Sequence, residues 1–345
     1  MTEQHTTHAV IIGAGPVGLF AAFQLGMLNL DSHIIDMLPQ AGGQCAQLYP
    51  EKPIHDIPAF SKISGQELTD RLMEQLAPFN PTLHLNQSVQ HVDRQPDGTF
   101  LVKTDVGTEI RTSVVVIAAG GGAFLPKRPP IENVADYEGV GVQYSVRKIA
   151  DYAEEDVVIL GGGDSAVDWA LTLCDVAKSV TIVHRRNNFR AAPEALLRMD
   201  QAVKDGTLSI VIGQACEING PAPQATSVSV KTSEGVIDCP ASRILPFFGL
   251  TSAPGPLATW GLTMDDGRLC VDPERFETSQ RGIFAIGDIA VYPGKLKLIL
   301  SGFHEAALMA HAAHPIAAPD ERIVFQHSTS SPSLLRKLGQ HAGTS

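Results

Sequence analysis

Val10-Ile11-Ile12-Gly13-Ala14-Gly15-Pro16-Val17-Gly18, followed by an apolar helical run and then Ser32-His33-Ile34-Ile35-Asp36, decides how this chain is read, because the pattern occurs twice. The second copy is Val158-Ile159-Leu160-Gly161-Gly162-Gly163-Asp164-Ser165-Ala166, a helical run, then Val180-Thr181-Ile182-Val183-His184-Arg185-Arg186. Gly13 aligns with Gly161, Gly15 with Gly163, Gly18 with Ala166, and Asp36 with His184. Each copy predicts a buried strand, a glycine turn, a helix and a second strand. In such a turn the first glycine permits the tight bend and the second lets backbone N–H groups approach a pyrophosphate. The third small residue lets helix and strand pack closely. The helix N-terminus adds unpaired N–H groups and the positive end of its dipole. One fingerprint of this kind is a weak signal; two at matched spacing, with different chemistry at the end of the second strand, make a strong one.

That strand end selects the nucleotide. Asp36 can accept hydrogen bonds from ribose hydroxyls and would repel a 2′-phosphate. His184-Arg185-Arg186 does the reverse, offering charge-assisted donors to such a phosphate, and Arg190 stands as a further phosphate contact. The first copy therefore reads as a site for the adenosine half of FAD. The second reads as a site for NADPH, with Gly161 and Gly163 at its pyrophosphate. Asp164 beside a phosphate would be repulsive, so it reads as a capping or turn residue.

The chain has 345 residues, enough for two domains with a core each, and its 44% hydrophobic and 18% charged content is that of a soluble globular protein. A net charge of −11 without a basic stripe argues against nucleic acid as a partner. The polar start, Met1 to His8, carries no secretory signal, and no apolar run approaches the ~20 residues needed to span a membrane, so the expected location is the cytoplasm. The five cysteines (Cys45, Cys174, Cys216, Cys239, Cys270) are scattered and never spaced CxxC, which excludes a disulfide framework or a zinc knuckle; no metal site is expected. Cys174 falls in an apolar helical run and reads as a buried small hydrophobe. Cys45 follows Gly42-Gly43-Gln44 and is the one cysteine expected near the flavin.

Between the copies, Met37 to Gln44 is turn-rich and without periodicity, and with the Tyr49 loop it is expected to line a ligand crevice. A helix is predicted over about Gly65 to Ala77, with strands at Leu83–Leu85, Val89–Asp93 and Phe100–Thr104. Val114 to Ile117 is a fully buried strand that should return to a parallel sheet and end in glycines. Pro126 to Pro130 reads as a crossing between domains. Gln224–Thr232 and Val236–Pro240 form an expected hairpin, Arg243 to Leu250 a strand leading out, and Gly282 to Asp288 an apolar strand ending Gly-Asp. Ser301 to Ala310 should be a helix whose first turn faces the flavin. The fold class is thus α/β with two Rossmann-like domains, the NADP domain (119–249) inserted into an FAD domain (1–118 and 250–345).

With both fingerprints, the Ala118-Ala119-Gly120 strand end and the Ile286-Gly287-Asp288 strand end in this order, the chain resembles the two-dinucleotide-binding flavoproteins. Tyr49-Pro50-Glu51-Lys52, Gly161 to Trp169 and His327-Ser328-Thr329-Ser330 are similar to the thioredoxin-reductase-like ferredoxin–NADP reductases. The resemblance covers essentially the whole chain. It implies FAD contacts from Gly13, Gly15, Val17, Asp36, Gln44, Tyr49, Val89, Phe124, Asp288 and Thr329, with Tyr49 stacked on the isoalloxazine; Gly18 joins them from the fingerprint itself. It also implies a homodimer in which His327 from the tail covers the ring. Thioredoxin reductases carry a CxxC shortly before the second fingerprint, where this chain reads Gly139 to Arg147 without cysteine. Electrons on the flavin therefore have no internal disulfide to reach and must leave to an external acceptor, ferredoxin or flavodoxin.

The expected reaction is hydride transfer from NADPH to the flavin and single-electron transfer onward. It requires no catalytic acid or base, so none is assigned. Bringing the two rings together makes a rotation between domains part of the expected cycle. Lys52, Lys62, Lys127, Arg128, Lys295, Lys297, Arg336 and Lys337 are the candidate basic patch for an acidic protein partner. Three other readings stay open: a reductase of external disulfides through Cys45, an NADPH oxidase or diaphorase, and a nucleotide-binding sensor without turnover.

Overall fold

The computed structural model describes residues 4–253 and 255–321, together with Lys337. The chain forms two compact units, one within Met1–Ala123 and Ser252–Ser345 and one spanning Phe124–Thr251, so the second interrupts the first in sequence.

In the first unit, the strand Gln4–Ile12 lies between parallel neighbours Ser32–Ile35 and Glu109–Ile117. Thr82–His84 extends the sheet, parallel to Ser32–Ile35. Glu109–Ile117 changes partners along its far side. Residues 109–112 pair antiparallel with Phe100–Lys103, whereas residues 115–117 pair parallel with Ile283–Ala285. The sequence encodes the switch. Burial alternates through the first half of the strand, where Arg111 and Ser113 interleave with Ile110 and Thr112, and becomes continuous over Val114–Ile117. The expected return of Val114–Ile117 to a parallel sheet holds; the whole strand pairs parallel with Gln4–Ile12 on one side, while on the other residues 109–112 join an antiparallel meander completed by Val89–Arg94.

Helices cover both the glycine turn and one sheet face. Helix α1 (Pro16–Met27) starts on a proline at its first turn, where the missing N–H costs nothing. Residues Gly43–Leu48 form a short helix, α2, where the sequence showed no periodicity; six residues make too few turns to display one. Helix α3 (Gly65–Leu76) is capped by Ser64, whose Oγ accepts the Glu67 N–H at 3.1 Å. It packs on α1 and buries Leu68, Leu72 and Leu76 in the same core as Ala9, Ile11 and Ile34 of the sheet.

The second unit repeats the plan in smaller form. Its parallel strands run in the order Leu208–Ile212, Ser179–His184, Asp156–Leu160, Arg243–Pro246. Helix α4 (Asp164–Leu173) follows the glycine turn, and α5 (Pro193–Lys204) precedes the edge strand. The expected hairpin is the last two-thirds of a three-stranded antiparallel sheet, Gln214–Asn219, Ser227–Thr232 and Gly235–Pro240. Cys174 sits at the C-cap of α4, half-buried rather than buried, where its thiol donates to Thr207 O at 3.4 Å. Back in the first unit, helix α6 (Ile299–Ala317) packs against α1 and buries Ala306, Met309 and Ala310. Among the described residues no helix is long and apolar enough to cross a membrane.

Candidate nucleotide sites

The two glycine turns are built by the same bonds. Gly13 N–H donates to Ile35 O at 2.8 Å, and Ala118 N–H to Ile12 O at 2.8 Å. Their counterparts are Gly161 N–H to Val183 O at 3.1 Å and Phe247 N–H to Leu160 O at 2.8 Å. Gly13 has φ +113°, and a Cβ there would stand 2.4 Å from Ala118 O; Gly161 has φ +150°, with Phe247 O at 2.7 Å. Neither position admits a side chain. Gly15 and Gly163 are the N-caps of α1 and α4, and neither helix end is satisfied by a side-chain cap. The first-turn N–H groups that an anion would use are thus not taken by a capping side chain.

The third position separates the copies. A Cβ on Gly18 would lie 1.9 Å from Gly13 O, so α1 stands against its turn at a distance that excludes even a methyl group. Ala166 carries that methyl in α4.

In the first unit, Asp36 ends its strand only 9% exposed. Its Oδ2 accepts the Ala14 N–H of the glycine turn at 2.6 Å, and its Oδ1 accepts the Leu38 N–H at 2.8 Å. Burial pushes its pKa up, against the pull of those two amides. Asp36 therefore straps the turn to the strand end as well as offering remaining lone pairs to a ligand. The backbone of residues 84–87 closes around it, with Asp36 N–H on His84 O and Gln87 N–H on Asp36 O, both at 3.0 Å. Val89 begins the next strand, buried.

Gly42 and Gly43, both at positive φ, press the Gln44 loop onto the first turn. Gly42 N–H donates to Ala14 O at 2.8 Å, and a Cβ on Gly43 would come within 2.9 Å of Gly15 Cα. Gln44 follows in the first turn of α2, and Tyr49 caps its end. Tyr49 Oη accepts the Cys45 thiol at 3.6 Å, and burial raises the pKa of both groups, with the charge of Asp288 adding to each. A raised pKa and 2% exposure leave Cys45 a poor thiolate, which opposes the redox role. Asp288 lies in a helical turn over Gly287–Ile289 that abuts the first glycine turn, since a Cβ on Gly287 would sit 3.5 Å from Val17. Gly302 in α6 approaches the same Val17, its Cβ position lying 2.3 Å from Val17 Cγ2. Gly13, Gly15, Val17, Gly18, Asp36, Gln44, Tyr49 and Asp288 are thus gathered at one end of the first sheet. His327 and Thr329 lie outside the described residues, as does the side chain of Phe124.

In the second unit, a cavity of about 340 Å³ opens where the strand Ser179–His184 ends, lined by His184 and Arg185 together with Pro129, Gln214 and Phe248. The last three were missed by sequence reasoning. The available signal was the strand at Leu208–Ile212, whose end places Gly213 N–H on His184 O at 2.9 Å. The His184 ring packs beneath Gly162, where a Cβ would meet it at 2.6 Å, and burial lowers its pKa. Burial thus works against a charge on His184, whereas Arg185 and Arg186 beside it are exposed. Arg186 and Arg190 are exposed and outside the cavity lining. The loop carrying them folds back on the turn, with Arg190 N–H on Gly162 O at 2.7 Å. Asp164 is not the cap: it is the first helical residue, and its Oδ1 accepts the Ala192 N–H at 3.0 Å, fixing that loop.

The expected basic patch shrinks. Lys295 is 3% exposed and ion-paired with buried Glu305, so it is unavailable to a partner. Arg128 forms a bidentate pair with Glu138 at 2.8 and 2.6 Å, and Lys337 lies 5.0 Å from the Phe79 ring centroid. Lys62, Lys127 and Lys297 are exposed, Lys52 is half-buried, and Arg336 lies outside the described residues.

Two uncapped helix ends, glycines that no Cβ could replace and opposite charges at the two strand ends fit two dinucleotides. This is the construction of a flavin- and pyridine-nucleotide-dependent oxidoreductase. The family model for pyridine nucleotide-disulphide oxidoreductases matches residues 7–314. Ferredoxin–NADP reductase of Mesorhizobium japonicum is 53% identical over 98% of this chain and 99% of its own length. That of Nitrobacter winogradskyi is 50% identical at 98% and 99% coverage. Among solved structures, Lactococcus lactis thioredoxin reductase superposes with a TM-score of 0.76 at 25% identity, covering 91% of this chain and 99% of that one. The chain belongs to the ferredoxin–NADP reductases of the pyridine nucleotide-disulphide oxidoreductase family, and membership implies FAD and NADP(H) as its cofactors.

Proposed function

We propose that the protein is an FAD-dependent ferredoxin–NADP(+) reductase, with FAD held by the first unit and NADPH by the second. The observation that carries the assignment is the pair of identically bonded glycine turns with opposite chemistry beside them: buried Asp36 at one, exposed arginines at the other. FAD, when bound, supplies hydride acceptance from NADPH and single-electron donation onward.

The chain's own residues bind, orient and exclude. Gly13, Gly15, Gly18 and the first turn of α1 take the FAD pyrophosphate. Asp36 receives the ribose, Val89 borders the adenosine, and Asp288 faces the remaining hydroxyl-bearing part of the cofactor. Tyr49 stacks on the ring, with Gln44 beside it on α2. Gly161, Gly163 and α4 take the NADPH pyrophosphate, and Arg185, Arg186 and Arg190 its 2′-phosphate, with His184 lining the cavity beside Arg185. The chain has no CxxC and Cys45 is buried, so the flavin's electrons leave to an external acceptor. Ferredoxin is the acceptor named for the relatives, and flavodoxin serves the same chemistry. We place the enzyme in the cytoplasm, where its five free thiols would stay reduced, and infer a homodimer in which each tail covers a flavin.

NADPH-driven cytochrome c reduction by the purified holoprotein, with and without added ferredoxin, tests the reading. Strong stimulation by ferredoxin is expected; a rate indifferent to it identifies a diaphorase instead.

A further inference from the structure

Glu305 is the one acidic side chain among the described residues that is fully buried, and no local pattern predicts it. It projects from α6 and collects three donors. Gly287 N–H reaches its Oε2 at 2.6 Å, Tyr292 Oη–H reaches Oε1 at 2.8 Å, and the Lys295 ammonium pairs with Oε1. The ammonium also lies 5.6 Å from the Tyr292 ring centroid. All three donors come from the segment that leaves the strand, so one carboxylate gathers residues 287–295 onto the helix. Gly287 sits at φ +75°, a conformation that its hydrogen bond helps to hold, and the next residue is Asp288.

A buried ion pair is a weak way to stabilise a fold, because apolar side chains of similar volume usually serve as well or better. What apolar side chains cannot do is accept the Gly287 N–H. We infer that Glu305, itself fixed by Lys295 and Tyr292, is a positioning residue for FAD: it holds the Gly287–Asp288 turn in the shape that receives the cofactor. This rests on the proposed reading that the turn faces FAD.

Two double variants separate that role from general stability. Lys295→Met with Glu305→Gln removes the charges and keeps an acceptor for Gly287; Lys295→Met with Glu305→Leu removes both. Titrating the apoproteins with FAD should give a dissociation constant at least about tenfold higher for the second than for the first. Their melting temperatures without FAD should stay close. Equal FAD affinities, or a loss of affinity that tracks a loss of apoprotein stability, would overturn the inference. Tyr292→Phe, which removes one donor and keeps the packing, should weaken FAD about threefold even if the leucine variant does not fold; unchanged affinity would count against the role. Asp288→Asn tells the two ideas apart. If it leaves FAD binding intact, the turn does not face the cofactor and the reading beneath the inference fails. If it weakens FAD, the glutamine-to-leucine step in its background should matter less than in the wild type, because both act through one turn. Full additivity would remove the Glu305 role alone.

Discussion

Replacing Arg185 with alanine isolates the charge discrimination of the second site. Arg185 lines the cavity at the end of Ser179–His184, whereas Arg186 and Arg190 are outside that lining. His184 shares the lining, but burial disfavours its charged form. Of the three arginines proposed for the 2′-phosphate, Arg185 is the one in the cavity lining and should carry the largest share of the charged contact. A charge-assisted hydrogen bond contributes about 1.5–3 kcal/mol, and about 1.4 kcal/mol is a factor of ten. Arg185→Ala should accordingly raise the dissociation constant of NADP(+) between about tenfold and about a hundredfold, the lower end being expected because the side chain is exposed. NAD(+), lacking the phosphate, should bind as before. The assay is equilibrium titration with both nucleotides, repeated across ionic strengths. Wild-type preference for NADP(+) should fall as salt rises, and the variant's residual preference should depend on salt less steeply. Arg186→Ala should cost less than Arg185→Ala. Equal losses for the two nucleotides would refute the phosphate assignment, and so would a variant that still prefers NADP(+) as the wild type does.

Gly18→Ala places a methyl group 1.9 Å from Gly13 O and must push α1 off its turn, so the purified variant should lose its flavin absorbance; a fully yellow protein would contradict the close approach. Cys45→Ser should leave the ferredoxin-dependent rate within about twofold of wild type, since a buried thiol with a raised pKa is a poor nucleophile; abolished turnover would revive the disulfide reading. His33 has its pKa lowered to about 4, first by burial and then by His84 and His5, with Asp31 opposing. Between the unfolded value of 6.5 and about 4 the unfolded chain binds a proton at this site that the folded chain does not, so stability falls as pH drops through that window. In His33→Gln the slope of unfolding free energy against pH should be shallower there, and an unchanged slope would place the titration elsewhere.

The glycine turns were legible because their geometry forbids substitutes: only glycine fits where Gly13 meets Ala118 O and Gly161 meets Phe247 O. The strand Val114–Ile117 was legible because burial on both faces demands an unbroken apolar run. Helix α2 was not, since it is held by Gly42, Gly43 and contacts with α3 rather than by a periodic face of its own; a Cβ on Gly65 would come within 2.7 Å of the backbone oxygens of Cys45 and Tyr49. The Lys295–Glu305 pair was hidden for a different reason. Lys295 stands between Gly294 and Leu296 in what reads as an exposed turn, and nothing local says that a helix residue ten positions later will bury it. Asp36 was assigned to the ribose from its place at a strand end, but its second task, strapping Ala14, depends on how closely the turn returns to that strand.

The two copies share their hydrogen bonds and differ in how they hold charge, and that difference bears on which nucleotide stays. At the first turn, Gly18 lets the helix close in and Asp36 is buried and already bonded to Ala14 and Leu38. A ligand there meets preordered acceptors and donors shielded from salt, and little ordering cost remains at binding. At the second turn, Ala166 keeps the helix back by a methyl group, the arginines are exposed, and the cavity is open to solvent. Contacts of that kind are screened within a Debye length of about 8 Å at physiological ionic strength and turn over readily. On the proposed assignment, the same βαβ frame would hold FAD as a resident group and NADPH as an exchanging one, set apart by one methyl group and by where each copy places its charge.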